Sequence, residues 1–194
     1  NVQAHLLQEF PFTVPGTCVS AGGFSTMGWA LPAALGVKLA RPEATVAALV
    51  GDGDFMMTMQ EMATAVQLGL KVVAVVLDNS GWLAIKDLQM AVFGRDRAMG
   101  TDFTDPSGKP YSPDFKATAR AFGWSAFGAA RPGEVGPAIN KALRAGGPAL
   151  VHVKVNRVFP HSGSPAVGWW DVPVPTYLKE RRARYEREKK GERL

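Results

Sequence analysis

Apolar residues gather into two nearly continuous runs, at residues 45–50 and 72–77, and two further strand-like stretches follow at 125–129 and 149–155. Continuous runs of this length are expected of strands covered on both faces, where alternation would expose one side. Between them the apolar positions take helical spacing. Residues 29–39 read as a helix with Ala and Leu on its inner side and Pro32 near its first turn, broken by Arg41-Pro42-Glu43. Residues 58–68 read as a helix stopped by Gly69, and residues 82–92 as another. Pro113-Asp114 opens a helix to Phe122, and residues 134–145 form the last of the series. Residues 1–17 read as a lead-in, 20–28 as a loop of small residues, 94–113 as a polar mobile loop and 159–175 as irregular chain with Pro160, Pro165, Pro173 and Pro175. Strand alternating with helix predicts an α/β fold: a doubly wound, mostly parallel sheet with helices on both faces.

Composition changes this picture little. The 194 residues, 46% hydrophobic and 20% charged, suit one globular domain, placed at residues 1–178, followed by a basic tail at 179–194. The formal charge of +5 is mostly that tail, which carries eight basic and four acidic side chains. With about +1 left for the rest and no basic–aromatic interleaving, nucleic acid is not an expected partner. The tail reads as an exposed helix with Glu/Arg pairing, or as fraying chain. A single cysteine, Cys18, leaves no internal disulfide, fits a reducing, cytoplasmic setting and argues against a thiolate metal cluster. No apolar run reaches the roughly 18 residues of a membrane span and no signal peptide is visible, so no membrane partner is expected. The first residue is Asn1, which reads as a processed chain or a piece of a longer one.

The chemistry concentrates in two turns. Gly51-Asp52-Gly53 closes the first apolar run and Asp78-Asn79-Ser80-Gly81 the second, with Asp52 and Asn79 27 positions apart. In a parallel sheet both turns open at the carboxyl edge, where ligands of open α/β sheets bind. One carboxylate and one amide oxygen then converge. These are hard ligands, suited to magnesium that also holds phosphate oxygens. Asp52 repels phosphate on its own; a cation between them resolves the conflict. Gly51 and Gly53 allow a sharp turn that leaves amide hydrogens for an anion. Taken singly, each motif is an ordinary tight turn; together, each ending a buried strand, they favour a metal–diphosphate site. A magnesium-dependent phosphoryl-transfer domain is a weaker reading, since no P-loop is present.

The Gly-Asp-Gly turn followed by Asn79 resembles the signature of thiamine-diphosphate-dependent enzymes. Gly22-Gly23-Phe24-Ser25-Thr26-Met27-Gly28 and Leu31-Pro32-Ala33-Ala34-Leu35-Gly36 are similar to the loop and helix of the acetolactate synthase type. The resemblance covers nearly the whole chain, as the diphosphate-binding domain that comes last in those enzymes, and implies thiamine diphosphate and Mg2+ as cofactors. It places Asp52, Asn79 and the Gly81 carbonyl as magnesium ligands. The Gly53 and Asp54 amides match diphosphate contacts. Met27 matches the bulky apolar residue beneath the cofactor, with its amide a donor to the pyrimidine, and the Ser25 carbonyl matches the acceptor for the 4′-amino group. Thr26, Gly51, Trp82 and Leu83 complete the implied cofactor contacts. The bland reading of Met27 is a core methionine.

In this family a glutamate from a separate pyrimidine-binding domain activates the cofactor. That domain is missing here, and Glu61, on the helix after the acidic turn, is not its match; it is expected at a domain or subunit contact. No residue of this chain is therefore assigned as catalytic with certainty. The resemblance implies an enzyme component that makes or cleaves a C–C bond next to a carbonyl, active only with a pyrimidine-binding domain from another chain or a missing N-terminal part, in a homo- or hetero-oligomer. The small-molecule substrate would be a keto or diketo compound. A non-catalytic cofactor-binding or scaffold subunit is the alternative. Pyruvate decarboxylase-type enzymes carry Glu where this chain has Ile85. Acetolactate synthases carry a small aliphatic residue there, but a Trp where this chain has Leu88. Gly168-Trp169-Trp170-Asp171-Val172-Pro173-Val174-Pro175, with residues 181–185, looks like the end of trihydroxycyclohexanedione hydrolase, to which cyclohexane-1,2-dione hydrolase is related. Trp82, Lys86 and Gln89 are substrate-side candidates, or else a helix stripe with a solvated Lys. His161 and Ser162 are candidate lid residues, or simply exposed. The Asp54 side chain is expected to cap its helix.

Overall fold

The protein is described here from a computed structural model of residues 2–157 and 176–191. The two apolar runs, β1 (Val46–Gly51) and β2 (Val72–Asp78), pair in parallel, Val46 opposite Val72. β4 (Ala149–Lys154) lies on the other side of β2, and β3 (Ser125–Ala129) outside β4, giving the order β1-β2-β4-β3, all parallel. Seven of the helices are α1 (Val2–Glu9), α2 (Ala30–Ala40), α3 (Asp52–Thr58), α4 (Glu61–Gln67), α5 (Leu83–Phe93), α6 (Phe115–Ala121) and α7 (Pro132–Arg144). An eighth, α8 (Lys179–Gly191), ends the described chain.

The nearly continuous apolar runs are explained by two cores, one on each face of the sheet. Val50, Val76 and Leu150 meet Leu31, Phe55, Met62 and Phe115 on one side. Val73, Val75, Val151 and Val153 meet Ala138 and Ala142 of α7 on the other. This is the doubly wound α/β arrangement expected from the alternation of elements. Trp124 belongs to the first core at 2% exposure, and its Nε1–H donates to the Met62 carbonyl of α4 at 2.9 Å. Trp124→Phe keeps most of the volume and loses the donor. The expected cost is about 1–2 kcal/mol, read as a lower denaturation midpoint at unchanged slope.

The structure departs from the sequence reading in four places. The lead-in contains α1. The helix read over 58–68 begins only at Glu61, and a separate short helix precedes it, starting at Asp52 itself. Met62 and Ala63 donate to the Met59 and Gln60 carbonyls, three residues back rather than four, so the helix restarts at Glu61. Residues 94–113, read as a mobile loop, are fastened down. They hold a 3-10 turn at Arg95–Arg97, a buried Thr101 and a bridge pairing Gly81 with Asp102. The tail forms α8, with the expected pairing in Arg182–Glu186, but one side docks: Tyr185 is buried with Val92, and Arg181 donates to the Val92 carbonyl at 3.3 Å. The irregular stretch 159–175, with His161, Ser162 and the Trp-rich motif at 168–175, lies outside the described residues.

β1 forms one rim of the sheet. Residues 45–49 wall a cavity of about 770 Å3, shared with Leu6 of α1, Phe10, Phe12 and the inner side of α2.

Candidate functional site

The carboxyl ends of β1 and β2 run directly into the two chemistry-bearing turns. β1 ends at Gly51, and Asp52 opens α3, so Gly53 and Asp54 sit in the first helical turn, where backbone N–H groups have no intrahelical partner. β2 ends at Asp78, and Asn79, Ser80 and Gly81 turn the chain toward α5. The two turns touch: the Gly81 N–H donates to Asp52 Oδ2 at 3.1 Å. Asp52 is 2% exposed. Burial pushes its carboxyl up to about 6, and the negative charge of Asp78 adds to the rise. Asn79 Oδ1 is buried with no hydrogen-bond partner. A buried acceptor left unpaired, in the same turn whose Gly81 amide meets a carboxylate that resists ionisation, is an arrangement a cation would satisfy.

The donor set fits magnesium better than a softer metal. Among the described residues no group of three or more His, Cys, Asp and Glu is placed to hold an ion. The oxygens available are one carboxylate, one amide and backbone carbonyls, leaving positions for ligand oxygens.

Trp82, the residue after the amide turn, lies across Gly53. A Cβ on Gly53 would collide with its indole Nε1 and Cδ1, so only glycine permits this approach. The Trp82 Nε1–H is itself buried without a partner, and its ring meets Phe103 edge-on at 5.0 Å. Leu83 is buried behind Gly81 and would lie 3.3 Å from a Cβ added there.

The loop of small residues joins from the other side. Gly28, at φ +79°, donates its N–H to Asp54 Oδ1, and its carbonyl accepts from Thr58 Oγ1 at 3.0 Å. Asp54 therefore does not cap its helix, as the sequence reading had it. It ties the 25–28 loop to the acidic turn, and burial pushes its carboxyl up. Ser25 donates from Oγ to Gln3 Oε1 at 2.5 Å, Thr26 lines the cavity beside β1, and Met27 is 37% exposed rather than a core residue. Ser25 (φ +50°) and Ser80 (φ +55°) are the non-glycine residues with left-handed backbone among those described, one in each loop. Such strain persists where surrounding structure enforces it, and it gathers at functional sites.

Not every candidate comes to the site with a free end. Lys86 pairs with Asp102 Oδ2 at 2.7 Å, and Arg157 pairs with the other oxygen of the same carboxylate. Gln89 Oε1 accepts from the Met99 N–H at 2.9 Å. Both side chains hold the 99–102 segment against α5. Glu61 Oε2 accepts from Thr64 Oγ1 at 2.8 Å, a local bond at the start of α4.

Sequence reasoning missed what lies beneath the amide turn. Asp78, 1% exposed, accepts from the Ser80 N–H (3.0 Å) and Ser112 Oγ (2.6 Å) on Oδ1. On Oδ2 it accepts from His152 Nε2 (2.7 Å) and Lys154 Nζ (2.5 Å). Burial alone would raise this carboxyl; the bonds from His152, Lys154, Ser112 and the Ser80 amide outweigh it and hold it well below the usual carboxylate range. A polar residue ending an apolar strand was visible in the sequence, but His152 and Lys154 lie 74 and 76 positions away. Only the pairing of β2 with β4, Asp78 opposite Lys154, brings them in.

Residues 1–153 match the family described as thiamine pyrophosphate enzyme, C-terminal TPP binding domain. The chain is 36% identical over 149 residues to an acetolactate synthase of Arthrospira platensis, covering 77% of this chain and 25% of that protein. It is 35% identical over 151 residues to the acetolactate synthase isozyme 2 large subunit of Escherichia coli K12, covering 78% of this chain and 26% of that protein. It is 37% identical over 163 residues to a 3D-(3,5/4)-trihydroxycyclohexane-1,2-dione hydrolase of Lacticaseibacillus casei, covering 83% of this chain and 25% of that protein. The chain thus spans about a quarter of the length of these relatives.

Proposed function

The chain belongs to the thiamine pyrophosphate enzyme family, as its C-terminal TPP-binding domain, and from that premise we propose that it carries the diphosphate- and magnesium-holding half of an active site that makes or cleaves a C–C bond next to a carbonyl. The observation that supports this most is the meeting of the two strand-end turns, with Asp52 buried against Gly81 and Asn79 Oδ1 buried and unpaired. Asp52, Asn79 and the Gly81 carbonyl are the proposed magnesium ligands, and the Gly53 and Asp54 amides the proposed diphosphate donors. The 25–28 loop is anchored to Asp54, and its partly exposed Met27 is the proposed apolar support for the organic part of the cofactor. Bound there, thiamine diphosphate supplies a nucleophilic carbon for addition to a substrate carbonyl. This chain's own residues bind and orient it; Trp82, lying over Gly53, bounds the site and excludes water from it.

The activating glutamate is assigned to a pyrimidine-binding domain elsewhere in the same enzyme. The proposed unit is residues 1–178, with the basic 179–194 segment appended. Among the described residues no helix is long and apolar enough to cross a membrane.

The reaction follows one of two patterns, after the two kinds of relative. Ile85 is the aliphatic residue of the synthase type, whereas Leu88 stands where that type has Trp, and the dione hydrolase match extends over more of the chain. Pyruvate and a cyclic 1,2-diketone, offered separately to the intact complex with magnesium and thiamine diphosphate, separate the two. The expected outcome is turnover of one of them, acetolactate from pyruvate or ring opening of the diketone. Turnover of neither, with the cofactor bound, leaves a scaffold subunit as the reading. Mass measurement of the intact complex tests whether a pyrimidine-domain chain travels with this one.

A further inference from the structure

We propose that Asp78 is a positioning residue: clamped by Ser112, His152 and Lys154, its carboxylate fixes the 79–81 turn so that Asn79 Oδ1 is presented to the divalent cation. The proposal rests on the magnesium–thiamine diphosphate reading of the site.

Four groups from three parts of the chain converge on this one carboxylate. The Ser80 N–H comes from its own turn, Ser112 from the segment before α6, and His152 and Lys154 from β4. Ser112 Oγ also lies 2.8 Å from Ser80 Oγ, so the turn is held by side chain as well as by backbone. The Val155 N–H donates to the Asp78 carbonyl at 3.0 Å, fixing the main chain at the same residue. His152 is itself held, its ring edge-on to Phe115 at 5.3 Å.

Asn79 lies between two immobilised neighbours. Ser80 adopts φ +55°, a conformation a serine keeps only when neighbours enforce it, and the Asp78 Oδ1 bond to its amide closes an Asx-type turn. The next residue, Gly81, donates to Asp52. The clamp therefore reaches both sides of the proposed cation, through Asn79 and through the Gly81–Asp52 contact. For stability alone this is a poor use of buried charge, since apolar residues of similar volume commonly serve as well. Its location beside Asn79 gives it a purpose.

Charge and position make opposite forecasts for Lys154. Removing a positive charge near a cation site tightens magnesium binding if electrostatics alone governs. Loosening the clamp weakens it. The test uses the enzyme assembled with its pyrimidine-binding domain, with calorimetry of magnesium in the presence of thiamine diphosphate, alongside amide hydrogen exchange of the metal-free protein. Lys154→Met and the charge-neutral Ser112→Ala are each expected to weaken magnesium binding about 10-fold and to speed exchange at the Ser80 and Gly81 amides. Lys154→Arg is expected to restore both. Tighter or unchanged magnesium binding in Lys154→Met, or unchanged exchange at those amides in both variants, overturns the proposal. If the wild-type assembly takes up no cofactor, that counts against the cofactor reading, and the exchange measurement still decides whether the clamp orders the turn.

Discussion

Asp52→Ala abolishes magnesium-dependent uptake of thiamine diphosphate, with affinity down by about 100-fold or more and the fold retained. The substitution removes the proposed anionic ligand of the ion, and Asn79 Oδ1 and backbone carbonyls are left without a charge to hold it. Calorimetry with the assembled enzyme is the measurement; uptake equal to wild type would reject the site. The same residue carries a pH signature. Its carboxyl rises from an ordinary 3.8 to about 6 because it is buried and lies near the Asp78 charge. The folded chain thus holds this proton more tightly than the unfolded chain does. The resulting stability is fully present below about pH 4 and is lost as pH rises through 6, a loss of about 3 kcal/mol in the metal-free protein. Asp78 acts in the opposite sense and in a lower window. Its carboxyl is held below the ordinary value, so its contribution is present at neutral pH and lost on acidification below about pH 4. Denaturation at stepped pH is expected to show the slope between pH 4 and 6 in wild type, and a shallower one in Asp52→Asn or when magnesium and cofactor are bound.

Gly53→Ala destabilises the protein by about 2–3 kcal/mol, since the new methyl group occupies the space of the Trp82 indole. Trp82→Ala in the same chain opens that space. The double variant is expected to recover most of the loss due to the alanine at position 53, a coupling that a double-mutant cycle measures. Additive losses would mean that the two residues do not meet. Cofactor uptake provides an independent check. The single Gly53→Ala change displaces Trp82 and disturbs the proposed diphosphate donors together, so binding falls in step with stability.

The fold was legible where its physics is local. Runs such as 72–77 announce strands buried on both faces, and the glycine-flanked Asp52 marks the end of a strand whatever surrounds it. The two turns could be placed at one edge because parallel strands put their carboxyl ends there. What escaped depends on distant partners. Asp54 looks like a helix cap in sequence because an acid in a first turn usually is; only the folded chain shows the Gly28 amide taking it. Lys86 and Gln89 look available because nothing local reveals that residues 99–102 return to meet them. The helix break at Met59 and Gln60 follows from a shift in hydrogen-bond spacing that leaves the apolar periodicity intact. His152 and Lys154 read as ordinary polar positions on a strand until the register of β4 against β2 is known.

The rim strand β1 also bears on handling the protein. Its sequence, Val-Ala-Ala-Leu-Val-Gly, has no charge or proline to discourage a newcomer, and among the described residues no strand pairs with its outer side. Unpaired peptide groups along such an apolar flank invite a second molecule to zip on wherever nothing covers them, and here α1 with Phe10 and Phe12 stands against residues 45–49. Trimming that lead-in is therefore expected to make concentrated stocks clump. A lysine introduced at the half-open Ala47 is the simplest safeguard for bench work, being remote from both strand-end turns.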